Sequence, residues 1–168
     1  MPGSLDAREE LFALQQAMLK IDGPVVLQLG LNMPGGHIHY PWQVLFDAAL
    51  AKLRLSLSCM CDIVMIRETQ VQTDNGPYCL FAVRADAFLL KQQMVRLEES
   101  EPLGRLWDID IITSEGVVGR SSLGLLPRPC LICGASAHVC RRLACHSLSQ
   151  VIAATHSLIQ AAGVSDNG

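Results

Sequence analysis

Between Val25 and Ile112 the apolar residues switch repeatedly between the two-residue repeat of a strand and the three-to-four-residue repeat of a helix. The order of those switches restricts the fold more than any other feature. Val25, Leu27, Leu29 and Leu31 alternate, which predicts a strand over Val25–Leu31. Pro41 suits the first position of a helix, and Phe46, Ala49, Leu50 and Leu53 give it an inward stripe to about Arg54. Residues 59–68 read as a strand, Thr73-Asp74-Asn75-Gly76-Pro77 as a hairpin turn and residues 78–84 as the return strand. Asp86 is placed to cap a helix whose stripe is Ala87, Leu90, Met94 and Leu97, and residues 106–112 form a further strand. The order is β-α-β-β-α-β. It predicts an α+β fold of the ferredoxin-like kind, a mainly antiparallel sheet with two helices on one face. A helix over residues 4–20, with Leu11, Leu14 and Met18 inward, precedes it. Ser114-Glu115-Gly116 turns into a short strand over 117–120. Cys59, Cys61 and Cys79 fall inside the strands and read as small core residues.

The strand at 106–112 carries the first candidate chemistry. Trp107, Ile109 and Ile111 point into a core, so Asp108 and Asp110 share the opposite face, bracketed by Leu106 and Ile112. Neighbouring carboxylates disfavour each other's ionisation. A divalent cation removes that penalty, and Mg²⁺ is typically held by one or two carboxylates together with substrate phosphates. Arg105 adds a planar fork suited to phosphate. On this reading the strand is a metal-dependent phosphoryl or nucleotidyl transfer site. The same pair on the wet face of an antiparallel sheet would be ordinary surface. The flanks favour chemistry. Glu98, Glu99 and Glu101 end the preceding helix, where the helix dipole disfavours acids, so five acids crowd into the thirteen residues from Glu98 to Asp110.

The chain has 168 residues, enough for one core-bearing domain, and half of them are hydrophobic. No apolar run approaches a membrane span, and residues 1–10 lack a basic region followed by an apolar stretch. Both observations predict a cytoplasmic protein with its seven cysteines reduced or metal-bound. The net charge of −3 is unevenly spread. Residues 1–115 carry 15 acids against 9 Lys/Arg, whereas residues 116–165 carry Arg120, Arg128, Arg141 and Arg142 and no acid. A basic stretch directly after an acidic cluster suits a polyanionic ligand or an acidic protein partner, though it also reads as solvated surface.

Residues 1–126 are predicted to form the α+β body, and residues 127–168 a Cys/His-rich helical tail packed on the same domain. Cys130, Cys133 and Cys140, with Cys145 or His146, supply the four donors of a tetrahedral zinc site, and buried thiols on a helical tail are the alternative. Residues 147–162 read as a last helix. Asn32-Met33-Pro34-Gly35-Gly36 reads as a plain turn, and His37-Ile38-His39 as surface.

The runs Pro102-Leu103-Gly104-Arg105-Leu106-Trp107-Asp108-Ile109-Asp110 and Pro127-Arg128-x-Cys130-Leu131-x-Cys133, followed by Cys140 and His146, resemble the holo-citrate lyase synthase family, the apo-citrate lyase phosphoribosyl-dephospho-CoA transferases. The resemblance covers most of the chain and is strongest from Asp86 onward. It implies a triphosphoribosyl-dephospho-CoA donor and, as acceptor, a serine of the citrate lyase acyl carrier (gamma) subunit, with pyrophosphate released. It implies no nucleic-acid or membrane partner. Asp108 and Asp110 would hold Mg²⁺, and Arg105, Arg120 and Arg128 the triphosphate. His146 becomes the better fourth zinc ligand. The family often has His where this chain has Glu101, so Glu101 would be the proton acceptor or extend the metal shell. Two other functions fit the residues. One is a zinc-stabilised adaptor without chemistry. The other is the equivalent transferase for another acyl carrier, such as that of malonate decarboxylase.

Overall fold

A computed structural model of the chain describes residues 3–164. The elements run α1 (Gly3–Ile21), β1 (Val25–Leu31), α2 (Trp42–Ser58), β2 (Val64–Thr73), β3 (Gly76–Arg84), α3 (Ala87–Ser100), β4 (Trp107–Thr113), β5 (Gly116–Val118), α4 (Ala137–Arg142) and α5 (Leu148–Ala161). The five strands form one sheet in the order β2-β3-β1-β4-β5, with every neighbouring pair antiparallel. Its first four strands have the split β-α-β arrangement that the element order predicts.

Alternation along the strands separates two cores. On one face Leu27 and Leu29 of β1, Phe81 of β3 and Trp107, Ile109 and Ile111 of β4 pack with Leu50 and Leu53 of α2 and Leu90 and Met94 of α3. On the other face Val26, Leu80, Ala82 and Ile112 meet Leu11 and Met18 of α1. Helix α5 joins the larger core through Ile159. Tyr40 stacks on His156 of α5 and donates its hydroxyl proton to the Pro34 carbonyl at 2.7 Å.

Asp86 caps α3 as its position implies, accepting from the Leu89 N–H at 2.9 Å. Both hairpins use one device. Thr73 and Thr113 donate their hydroxyls to the carbonyls of Gly76 and Gly116, and accept from the N–H groups of Asn75 and Glu115.

Three local readings change. Residues 59–63 are not strand. The Cys59 N–H closes the C-terminus of α2 on the Leu55 and Ser56 carbonyls, and β2 begins only at Val64. Cys59 and Cys61 are therefore exposed, and of the three cysteines in this region only Cys79 is buried. Leu106 lies in the 3-10 turn Gly104–Leu106 and packs in the larger core, so it does not share the aspartate face. A break in pairing register between Met65 and Arg67 interrupts β2.

The other edge of β4 is finished by side chains. β5 pairs only with residues 111–113 of β4. Towards the start of the strand, Glu98 of α3 accepts from the Ile109 N–H at 3.3 Å and Lys91 of α3 donates to the Ile109 carbonyl. Arg128 donates to the Trp107 carbonyl at 2.7 Å and pairs with Glu98. Lys91 and Glu98 are each only 5 % exposed. Backbone groups cannot be left unpaired at such a depth, and these charges take the place of a neighbouring strand.

Gly104 brings the turn before β4 against the end of α3. A Cβ there would overlap the Glu98 carbonyl oxygen, which belongs to backbone and cannot swing aside. Gly104→Ala is expected to cost roughly 2 kcal/mol or more through that overlap. Trp107→Ala is expected to cost about 3–5 kcal/mol through a core cavity. Chemical denaturation of both variants checks these values.

Candidate active site

Asp108 and Asp110 lie on the α1 face of the sheet, opposite Gly30 and Gln28 of β1. Gln28 is tied to α1 through Gln15, whose amide donates to it at 2.6 Å. Gly30 has no side chain, and the Tyr78 ring closes over that position. Asp108 is exposed and Asp110 half-buried. Burial, then the charge of Asp108, pushes the Asp110 carboxyl above the usual carboxylate range, with Lys91 and Arg128 pulling it partly back. Burial and then Asp108 likewise raise the Tyr78 phenol. Among the described residues neither aspartate has an ion-pair partner. Two uncompensated carboxylates on one face, one of them partly desolvated, fit a divalent cation.

The acids that end α3 are neutralised by cationic side chains. Glu98 pairs with Arg128, and Arg120 lies 2.8 Å from Glu99 and 4.0 Å from Glu98. Burial raises the Glu98 carboxyl, and Arg128 and Lys91 lower it. Glu101 faces α2, with its Oε1 3.1 Å from Lys52 Nζ. The three arginines therefore stand in different surroundings. Arg120 is occupied by Glu98 and Glu99. Arg128 bridges α3 and β4. Arg105 donates to the Pro129 carbonyl at 2.7 Å, and burial followed by the nearby charge of Arg128 lowers its guanidinium.

The tail folds into a knuckle. Cys130, Cys133, Cys140 and His146 bring their donor atoms within 4.8 Å of one another. His146 Nε2 is 3.3 Å from Cys133 Sγ, which is 3.5 Å from Cys140 Sγ. Gly134, at φ 74°, supplies the left-handed residue that turns the chain directly after Cys133. The bridge between Pro129 and Ser136 closes the loop. Backbone N–H groups of Cys133 and then Ile132 aim at the Cys130 sulfur and hold its thiol down at about 6. Three thiols and an imidazole in this arrangement could hold a metal ion. Cys145 is exposed and stands outside the group.

Between the knuckle and the start of β4 lies a cavity of about 600 Å³. Arg105, Arg128, Cys130, Cys140 and His146 line it, whereas Asp108, Asp110, Glu101 and Arg120 do not. Asn32 and Pro34, from the turn after β1, line it as well. That turn reads as plain in sequence, although its glycines Gly35 and Gly36 both take positive φ and its backbone approaches the cavity. Tyr78 carries no sequence signal that ties it to these residues, and Arg141 none beyond its place in the basic stretch. Strand pairing brings the first to the aspartates, and the knuckle brings the second to the cavity.

The model of the family described as apo-citrate lyase phosphoribosyl-dephospho-CoA transferase matches residues 2–162. A protein of that name from Escherichia coli O6:K15:H31 is 32% identical over 161 residues, covering 95% of this chain and 87% of its own length. The Haemophilus influenzae protein CitXG is 33% identical over 160 residues, and this chain spans only 34% of its length. No helix among the described residues is long and apolar enough to cross a membrane.

The geometry of the knuckle predicts about one bound divalent metal ion per chain by elemental analysis. Cys133→Ser is expected to lose that ion and to lower the melting temperature, because metal binding at such a site is coupled to folding. Wild-type protein stripped by a chelator should melt with the variant.

Proposed function

This chain belongs to the apo-citrate lyase phosphoribosyl-dephospho-CoA transferase family, and from that membership we propose that it attaches the citrate lyase prosthetic group to the enzyme's acyl carrier (gamma) subunit. The donor is triphosphoribosyl-dephospho-CoA. A serine oxygen of the carrier attacks the α-phosphorus, the bond to the outer two phosphates breaks, and pyrophosphate leaves. A phosphodiester then links carrier and prosthetic group, so the reaction is nucleotidyl transfer in form. The observation that carries this reading is the uncompensated pair Asp108 and Asp110 on β4, whose N-terminal end abuts a cavity lined by Arg105 and Arg128.

Arg105 and Arg128 hold donor phosphates through charge-assisted hydrogen bonds. Arg120 acts from behind, sharing Glu98 with Arg128. Glu101, paired with Lys52 outside the cavity, is either the proton acceptor for the serine hydroxyl or an extension of the metal shell. Mg²⁺ held by Asp108 and Asp110 would, when bound, screen the charge that builds on the phosphoryl oxygens. Zn²⁺ is the metal of the knuckle, and its role is structural, since four protein donors close the coordination shell. The work is cytoplasmic. The competing adaptor reading draws on the exposure of Asp108. The transferase for another carrier differs only in acceptor.

Mass spectrometry of the apo carrier subunit after incubation with this protein, Mg²⁺ and donor tests the reading. The expected result is a mass gain on one serine. No gain with folded protein favours the adaptor, and gain only on another carrier favours the related transferase. Asp108→Asn and Asp110→Asn are each expected to slow transfer about 100-fold or more, as loss of a key electrostatic group does. Neither should destabilise the fold. The ionised Asp110 is disfavoured in the folded chain, so its stability contribution is present at low pH and lost as pH rises through its raised folded value. Asp110→Asn should therefore melt at or above wild type at neutral pH, and the difference should fade in acid.

A further inference from the structure

The cavity behind the knuckle has chemistry that the reaction scheme leaves unused. Its volume of about 600 Å³ lies within the range of small-molecule sites. One part of its lining is apolar, formed by Ile132, Leu148 and Val151, with Leu148 58% exposed and Ile132 40% exposed. Another part is cationic, formed by Arg105, Arg128 and Arg141, and no Asp or Glu lines the cavity among the described residues. The three cations are not equally free. Arg128 is held by Glu98 and the Trp107 carbonyl, and Arg105 donates to the Pro129 carbonyl. Arg141, in the last turn of α4, has neither an ion-pair nor a side-chain hydrogen-bond partner among the described residues. Arg142 follows it on the same short helix and does not line the cavity.

Glu98 answers the charge of Arg128, but no carboxylate in the lining answers Arg105 and Arg141, and burial of Arg105 adds to the cost. A phosphate removes both penalties, and a guanidinium fork binds it in two places. An uncharged arm beside that phosphate would cover the apolar lining.

We infer that this cavity binds the dephospho-CoA portion of the donor, with Arg141 a phosphate-binding residue alongside Arg105 and with Ile132, Leu148 and Val151 covering an uncharged arm. This assignment rests on the transferase reading for the identity of the ligand. It makes the knuckle one side of a binding site, with α4 delivering Arg141 to it.

Titration calorimetry of the full chain at fixed ionic strength, with dephospho-CoA as the probe and pantetheine, which keeps the uncharged arm but lacks the diphosphate and the adenosine, as the comparison, tests the inference. Dephospho-CoA should bind, and Arg141→Gln should weaken it about tenfold or more, the scale of losing a hydrogen bond to a charged group. Arg142→Gln should bind as wild type, since it removes the same charge one residue away. Pantetheine should bind more weakly and be indifferent to Arg141→Gln. Arg141 is exposed, so its variant should keep the wild-type melting temperature. Unchanged binding by Arg141→Gln, equal loss by Arg142→Gln, or no binding of dephospho-CoA to wild type would each overturn the assignment. A chain that binds dephospho-CoA in an Arg141-dependent way yet never modifies the carrier would overturn the transferase reading and leave this site standing.

Discussion

Among the described residues no strand covers the outer side of β4 at Trp107 and Ile109, and the surroundings are arranged around meeting that need. Lys91 and Glu98, two turns apart on one face of α3, take the Ile109 carbonyl and N–H, and Arg128 takes the Trp107 carbonyl. Each bond is charge-assisted, and Glu98 and Arg128 also pair with each other. A neutral strand would have satisfied the same groups. The charged solution does more, because it fixes α3, β4 and the beginning of the tail relative to one another. Removing one member would leave its partner charged and buried, which is far costlier than the pair's own net worth. The cavity inherits its position from this network, since Arg128 is at once a clasp on β4 and part of the lining.

Much of this was legible in the sequence because it follows from periodicity and local chemistry. Alternation at Val25–Leu31 and the stripe Ala87, Leu90, Met94 and Leu97 defined their elements, and the hairpin at Asp74-Asn75 announced itself. The Cys-x-x-Cys run and its later partners were legible as candidate metal donors for the same reason, the four lying within seventeen residues of chain. Other features depended on tertiary pairing. The acids ending α3 read as a repulsive cluster that called for a metal ion, whereas Glu98 and Glu99 are matched by Arg120 and Arg128, more than twenty residues away. Lys91 flanks the apolar stripe of α3, and it is buried because a strand edge needs its proton. An apolar run that follows a helix has the same composition as one that opens a strand, so the strand expected from residue 59 begins only at Val64 and leaves Cys59 and Cys61 exposed.

The basic character of the tail is likewise divided by structure. Four arginines and no acid occupy residues 116–165, yet they do not form one patch. Two are consumed internally against α3, which turns part of the charge imbalance between the two segments into the adhesive between them. Of the remaining two, α4 sends one to the cavity and leaves the other off its lining. Composition reports the total, and only the pairing reveals how much of it is available to a ligand.

The register break in β2 has a bearing on how the molecule behaves among copies of itself. β2 is the outermost strand on its side of the sheet, and Val64, Met65 and Ile66 on it are exposed. A long, regular, apolar edge of this kind templates the addition of further strands, the route to fibrils and inclusion bodies. Here the irregularity falls within that run, and the next two residues are Arg67 and Glu68, held to Asp22 and Arg54. A kinked edge followed by anchored charges cannot present an unbroken ladder to a second sheet. The fault in the pairing thus interrupts the ladder that an added strand would need, on the edge of the sheet opposite β4 and β5.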